Sequence, residues 1–220
     1  MRDFYGRKIS RRIDSDRVTK LRDFQFFLDE STIDSKIKLV KEKFNEFNLE
    51  IGFGTGCNLI NTAEKSKECC FFGCDPFLNG SIKLFKMINE KGLTNIFFSN
   101  LDFYNFARFL KKIKIKNFYI LFPDPWPKQK HKKRRLINKR FVERLVSICE
   151  EESNVYILTD DKDYLSQISF YFANEKTFKL LNNEIDFFKN ESSPIYSTKY
   201  YNRAVTRKMK IFSLLFNYKN

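Results

Sequence analysis

From Asp34 onward the apolar positions recur at three- and four-residue steps: Ile37, Val40, Phe44 and Phe47 fall on one helical face, with Lys and Glu on the other. This spacing predicts an amphipathic helix laid on a core. Beyond it, short apolar runs alternate with helical patterns. NLEIGFG, CCFFGCD, NIFFSN, NFYILFPD and NVYILTDD read as buried strands, each running into a polar or glycine-containing segment. Between them, NGSIKLFKMINEKG sets Ile82, Phe85 and Ile88 at helical spacing, with Gly92 as its C-terminal stop. RRLINKRFVERLVSICEE likewise places Leu136, Phe141, Leu145 and Ile148 near one face, and MKIFSLLFNY can supply a final strand. Strands that are apolar almost throughout, alternating with helices, predict an α/β protein with a mostly parallel sheet covered on both sides.

A length of 220 residues suffices for one well-buried core and does not demand a second domain. The expected division is a basic N-terminal arm over residues 1–20 and a single domain over 21–220, without repeat, long linker or low-complexity block. Hydrophobic residues at 42% and aromatics at 17% exclude a wholly disordered chain. The formal net charge of +14 favours a polyanionic partner, because a basic surface steers phosphate-bearing ligands toward it. An AT-rich genome would also encode abundant Lys, Asn, Ile and Phe with few Gly and Ala, so the positions of the charges must decide. Arg2, Arg7, Lys8, Arg11, Arg12 and Arg17 cluster where apolar periodicity is weak, the pattern of a mobile basic arm or of a disordered tail. The five cysteines form no C-x-x-C pair and His131 is the single histidine, which fits reduced thiols and gives no metal site. No apolar stretch approaches the length of a bilayer span, and the first residues lack the apolar core of a secretory leader. The expectation is a soluble cytoplasmic protein with no membrane partner and no obligatory protein subunit, as monomer or homodimer.

The segment EIGFGTG places Glu50, Gly52, Gly54 and Gly56 at a strand-to-helix turn. Glycines there permit a tight turn and let the backbone approach a ligand at the N-terminus of the next helix. The spacing is G-x-G-x-G preceded by an acid, unlike the dinucleotide fingerprint G-x-G-x-x-G, and it lacks the Lys-Ser/Thr of a P-loop. S-adenosylmethionine carries a sulfonium and an amino group and no phosphates, so an acid beside the loop suits it. Asp75, after the second strand, can meet ribose hydroxyls or cap a helix. Asp102 can accept from an adenine amino group or cap the helix after it. Asp124 and Asp160 follow the fourth and fifth strands, and ligands of such sheets bind beyond the carboxyl ends of the strands.

In PDPWPKQKHKKRR, Pro123 and Pro125 put Asp124 on a rigid stalk, since each proline fixes its own φ and restricts the residue before it. Two carboxylate oxygens can accept from the N1–H and 2-amino edge of guanine, a donor pair that adenine does not present. Trp126 can stack on a base or plug the core. Lys128, Lys130, Lys132, Lys133, Arg134 and Arg135 follow at once, and such a run releases counterions when it meets phosphates. Its position beside the strand end implies methyl transfer onto nucleic acid.

EIGFGTG, DPFLNG, GLTNI, LFPDPWPKQKHKKRR and TDDKDYL, in this order and at these separations, resemble the bacterial tRNA guanine-N7 methyltransferases of the TrmB type, over most of the chain. The resemblance implies a Rossmann-like class I S-adenosylmethionine-dependent methyltransferase fold, with a mostly parallel seven-stranded sheet flanked by helices. It implies methylation of guanosine 46 in the tRNA variable loop, with S-adenosylmethionine as methyl donor. Glu50, Asp75, Asp102 and Asp124 match the family's donor-binding acids, beside Gly52, Gly54 and Gly56, although the second acid is more usually Glu. Asp124 matches the proposed catalytic residue. Lys128 and Asp160 match substrate contacts, as do Thr198, Lys199 and Tyr200 of STKYYN, where Tyr201 stands in place of an expected Glu. Arg7, Lys8, Arg11, Arg12, Lys130, Lys132, Lys133, Arg134 and Arg135 are the expected tRNA phosphate contacts. Two other readings stand beside this one. Asp-Pro-Trp is similar to the Asp-Pro-Pro-Tyr loop of methylases that act on exocyclic amino groups, and Tyr201 would suit a non-catalytic RNA-binding protein that keeps the fold.

Overall fold

The structure, a computed structural model, describes residues 4–9, 13–182 and 198–219. The chain divides into two compact units, Met1–Ile113 and Lys114–Asn220. Among the described residues seven strands form one sheet, ordered β3-β2-β1-β4-β5-β7-β6. The first unit holds α1 (Ser15–Arg22), α2 (Ile33–Lys43), β1 (Phe47–Ile51), α3 (Cys57–Lys65), β2 (Cys70–Cys74), α4 (Leu78–Lys91), β3 (Ile96–Ser99) and α5 (Phe103–Phe109). The second holds β4 (Ile115–Leu121), α6 (Lys139–Val146), β5 (Cys149–Thr159), α7 (Lys162–Ala173), β6 (Phe178–Asn182), α8 (Lys199–Thr206) and β7 (Phe212–Tyr218).

In the first unit β1 pairs in parallel with β2, Phe47 opposite Cys70 through Ile51 opposite Cys74, and β2 pairs in parallel with β3. Every residue of these three strands is buried, which is why they read as continuous apolar runs rather than alternating ones. Leu59 and Ile60 of α3 and Leu84 and Ile88 of α4 join Phe71, Ile96 and Phe98 in one core, closed by Phe27. Asn95, only 3% exposed, stands just before β3 and donates its side-chain amide to the carbonyls of Ala63, Ser66 and Cys69. That one side chain satisfies the end of α3 and the turn that follows it, groups a helix terminus otherwise leaves without partners.

In the second unit β4 and β5 are parallel, while β7 runs antiparallel to both β5 and β6. Phe172 of α7 lies on Phe216 of β7, ring centroids 4.2 Å apart and planes nearly parallel, and Phe178 meets Phe172 edge-on. The α/β Rossmann-like architecture is as expected, a mostly parallel seven-stranded sheet flanked by helices in which β7 is the antiparallel member.

Several expected boundaries move. The helix read from Ile37 to Phe47 ends at Lys43; Phe44 is its C-cap and Phe47 opens β1, so four buried residues at helical spacing belong to two elements. Burial does not distinguish them, because strand and helix bury the same side chains in the same core. Likewise Leu136 precedes α6, and Ile148 lies in the turn before β5. The segment read as a basic arm, residues 1–20, runs into a helix, Ser15–Arg22, capped by Asp14 and fixed by the buried Leu21. Arg2, Arg11 and Arg12 lie outside the described residues.

Replacing Asn95 with alanine should cost about 1–3 kcal/mol, since buried carbonyls lose their donor. Asn174→Ala, which removes only an exposed bond to the Phe170 carbonyl, should stay within about 0.5 kcal/mol. Urea unfolding midpoints of the two variants check the contrast.

Candidate functional site

Gly52, Gly54 and Gly56, between β1 and α3, all have positive φ, at 79°, 58° and 80°. Such backbone is strained for residues with a Cβ. Phe53 turns inward between the first two, 4% exposed, with its ring edge on Phe98, so the loop is anchored by one side chain. A Cβ built at Gly52 or Gly54 would meet nothing within 4 Å, which leaves bare backbone facing open space. On its other side the loop is tightly held. A Cβ at Gly80, in the first turn of α4, would come within 1.9 Å of the Gly54 carbonyl oxygen. Asp75 completes the frame: its Oδ2 accepts from the Gly54 N–H at 2.7 Å and its Oδ1 from the Phe77 N–H at 2.9 Å.

Glu50, on β1 just before this loop, is 3% exposed, and its Oε2 accepts from the Asn58 side chain at 3.1 Å. Burial pushes its carboxyl up to about 8; the bond from Asn58 works against that shift, and the Asp75 charge adds to it. The group therefore favours the protonated form at neutral pH until a cation comes near. Asp102 caps α5, Oδ1 accepting from the Asn105 N–H and Oδ2 from the Asn105 side chain. An S-adenosylmethionine molecule fits this donor set: bare glycine backbone for its approach, a buried acid for its cationic groups, and the rims of Asp75 and Asp102 for hydroxyl and amino groups. Sequence reasoning missed Asn58, which no local pattern distinguishes from any other helix-face asparagine.

In the second unit the turn after β4 carries Asp124. Phe122 and Trp126, which flank it, both adopt left-handed backbone, at φ 54° and 43°. The Phe122 N–H donates to the Leu158 carbonyl at 2.8 Å. Asp124 reaches solvent, yet protein atoms crowd one side of it and the resulting desolvation raises its carboxyl above the usual range. Trp126 is half-buried, with Arg134 over its ring at 5.0 Å and His131 edge-on at 5.9 Å, so a guanidinium and an imidazole cover it. Thr198 caps α8 by accepting from the Tyr201 N–H, and the exposed Tyr200 ring stacks 6.5 Å from Phe122. Tyr200 is thereby brought to the turn that holds Asp124. Asp160 is half-buried immediately after β5.

Lys128, Lys130 and Lys133 are exposed, as are Arg7 and Lys8, whose carbonyl accepts from the Leu78 N–H at the start of α4. Lys132 is paired with Asp163 at 2.8 Å. Arg135 does not fit the expectation of a phosphate contact. Its side chain is 1% exposed, and its guanidinium is held by Asp163 at 2.6 Å, Gln167 at 2.9 Å and the Pro125 carbonyl at 2.7 Å. Nothing in its neighbours along the chain signals this, because the partners lie 10 to 32 residues away. Sequence reasoning also missed Arg203 and Arg207, both exposed; with Lys199 they recur every four residues along α8 to its C-cap, a spacing visible in the chain itself.

The raised Glu50 carboxyl has a stability consequence. Between its ordinary 4.5 and about 8 the folded state holds a proton that the unfolded state has released, so this group's contribution to stability falls as pH rises through that window. Glu50→Gln does not titrate and should flatten the decline in urea midpoint between about pH 5 and about pH 8.

Comparison with known proteins follows the same lines. A family described as "Putative methyltransferase" matches residues 45–214. The "Bifunctional methyltransferase" of Rickettsia felis is 34% identical over 78% of this chain but only 32% of its own length, so the chain spans about a third of the relatives of that kind. The "tRNA (guanine-N(7)-)-methyltransferase" of Neorickettsia sennetsu is 33% identical over 93% of this chain and 88% of that one. A solved structure described as "Structure of an Antibiotic Related Methyltransferase" shares the fold at a TM-score of 0.58 and 18% identity, covering 84% of this chain and 92% of that one. With the match running from β1 into β7 and a relative covered almost end to end, the chain belongs to the tRNA (guanine-N(7)-)-methyltransferase family.

Proposed function

We propose that this protein methylates N7 of a guanine in tRNA, guanosine 46 of the variable loop, with S-adenosylmethionine as donor, in the cytoplasm and without an obligatory protein subunit. The observation that carries this reading is the turn around Asp124, a carboxylate fixed between two prolines at a strand end with exposed lysines directly after it. The donor supplies an electrophilic methyl group on a cationic sulfur. Guanine N7 attacks with an in-plane lone pair and has no proton to lose, so neither a cysteine nucleophile nor a strong base is needed. The chain's task is alignment, which in well-oriented systems contributes roughly 7–11 kcal/mol. Asp124 accepts from the N1–H and 2-amino group and faces a base that becomes cationic as the bond forms, so its charge favours the transition state over the ground state. The first unit holds the donor through Glu50, Gly52, Gly54, Gly56, Asp75 and Asp102.

Lys128, Asp160, Thr198, Lys199, Tyr200 and Tyr201 serve the substrate in this reading, and Arg7, Lys8, Lys130, Lys132, Lys133 and Arg134 serve phosphates, together with Arg11 and Arg12 of the arm. To these we add Arg203 and Arg207. Residues 198–212 contain five Lys or Arg and no acid, so this stretch is strongly basic.

Incubation with labelled donor and unmodified tRNA, followed by nucleoside analysis, should yield 7-methylguanosine. A methylated amino group, or donor binding without transfer, would refute the assignment. Asp124→Ala should lower kcat by roughly 100-fold, and the acid limb of wild-type kcat/KM should lie above the ordinary carboxylate range, activity rising as Asp124 ionises. Replacing Arg203 and Arg207 together with glutamine should make the dependence of log K on log salt shallower by about 2 with donor affinity unchanged; an unchanged slope removes α8 from the RNA surface.

A further inference from the structure

The turn carrying Asp124 is unfavourable on its own. Phe122 and Trp126 are both left-handed residues with side chains, at φ 54° and 43°, a conformation that persists only where its surroundings over-determine it. One end is fixed by the Phe122 N–H on the Leu158 carbonyl. The other end is fixed by Arg135, whose Nε donates to the Pro125 carbonyl at 2.7 Å, one residue from Asp124.

Arg135 is in turn held from every side. Its Nη2 lies 2.6 Å from Asp163 and its Nη1 donates to Gln167 at 2.9 Å, while the guanidinium lies over the Tyr164 ring at 4.8 Å. The same α7 residues bolt the next stretch of chain: the Ile137 N–H donates to the Tyr164 hydroxyl, and Gln167 Nε2 donates to the Ile137 carbonyl, both at 2.9 Å. Burying a cation is costly unless it is paired and fully hydrogen-bonded, and a phosphate contact must stay open to water. A side chain 1% exposed with three acceptors in a planar fork meets the first condition and fails the second.

We infer that Arg135 is a positioning residue: it transmits the rigid frame of α7 to the Pro125 carbonyl and so fixes the Asp124 carboxylate for the base. This rests on the function proposed above. Arg134, its neighbour, turns the other way and covers Trp126, so adjacent arginines hold consecutive residues of one turn. An ammonium at position 135 has no fork with which to serve all three acceptors in their plane.

The test compares wild type with Arg135→Lys and with Asp163→Ala, the latter removing a partner whose side chain is 55% exposed, so that folding is preserved if the first variant fails to fold. Trp126 is the chain's single tryptophan, and acrylamide quenching of its fluorescence reads the turn directly. Both variants should show increased quenching and a fall in kcat of about 10- to 100-fold, with donor affinity unchanged in both and tRNA affinity and salt slope unchanged in Arg135→Lys, whereas Asp163→Ala also frees Lys132 and can strengthen tRNA binding. In an Asp124→Ala background Arg135→Lys should lower kcat no further. A raised KM for tRNA with a shallower salt slope and unchanged quenching would make Arg135 a phosphate contact and overturn the inference. A lowered melting temperature with unchanged kcat per folded molecule and unchanged quenching would overturn it as well. If wild type forms no 7-methylguanosine, the functional reading fails, and the quenching comparison alone then decides whether Arg135 holds the turn.

Discussion

Strands buried along their whole length force polar chemistry to their ends. In β1, β2 and β3 no residue faces solvent, so any charge placed within them must be satisfied internally or be suppressed. Glu50 shows the consequence. Buried on β1 with an asparagine for company, it stays a poor anion until a positive ligand offsets its desolvation. The glycine loop that follows is where backbone is first released from the sheet, and Asp75 spends both of its oxygens on shaping that release. An acid expected to meet a ligand thus acts first as scaffold, and ligand contact must use the lone pairs that remain.

The second unit solves a related problem differently. Its candidate carboxylate, Asp124, is not buried but exposed, and what the fold controls is its direction. Two prolines remove torsional freedom from inside the turn, while hydrogen bonds and ring contacts from outside hold two residues in left-handed backbone. Tyr200, delivered from α8, stacks on Phe122 at the base of the same turn. The basic run that follows divides by burial: Lys128, Lys130 and Lys133 stand in solvent, Lys132 is partly tied to Asp163, and Arg135 is enclosed. Equal charge in the sequence therefore does not mean equal access to solvent.

What the sequence revealed was local, and what it concealed was not. EIGFGTG and PDPWP declare their turns because glycine and proline restrict backbone at their own positions. The strands were legible from their unbroken apolar runs. Phe47 was misplaced because a buried strand continuing from a buried helix keeps the apolar spacing through the junction. Leu136 and Ile148 went astray in the same way at the two ends of α6. Arg135 was unreadable for a deeper reason. Its role is set by Asp163, Tyr164 and Gln167, and only the folded arrangement of α7 brings those groups to it.

The approach of Gly80 to the Gly54 carbonyl bears on where this chain keeps its glycines. Lysine, asparagine, isoleucine and phenylalanine are abundant in this chain, and glycine is scarce, with seven in 220 residues. Four of those seven, Gly52, Gly54, Gly56 and Gly80, build or face a single turn. The first three need left-handed backbone, and the fourth has no room for a Cβ against the Gly54 carbonyl. In so glycine-poor a chain, the clustering of the few that remain marks the one place where backbone must turn left-handed and lie against a neighbouring helix.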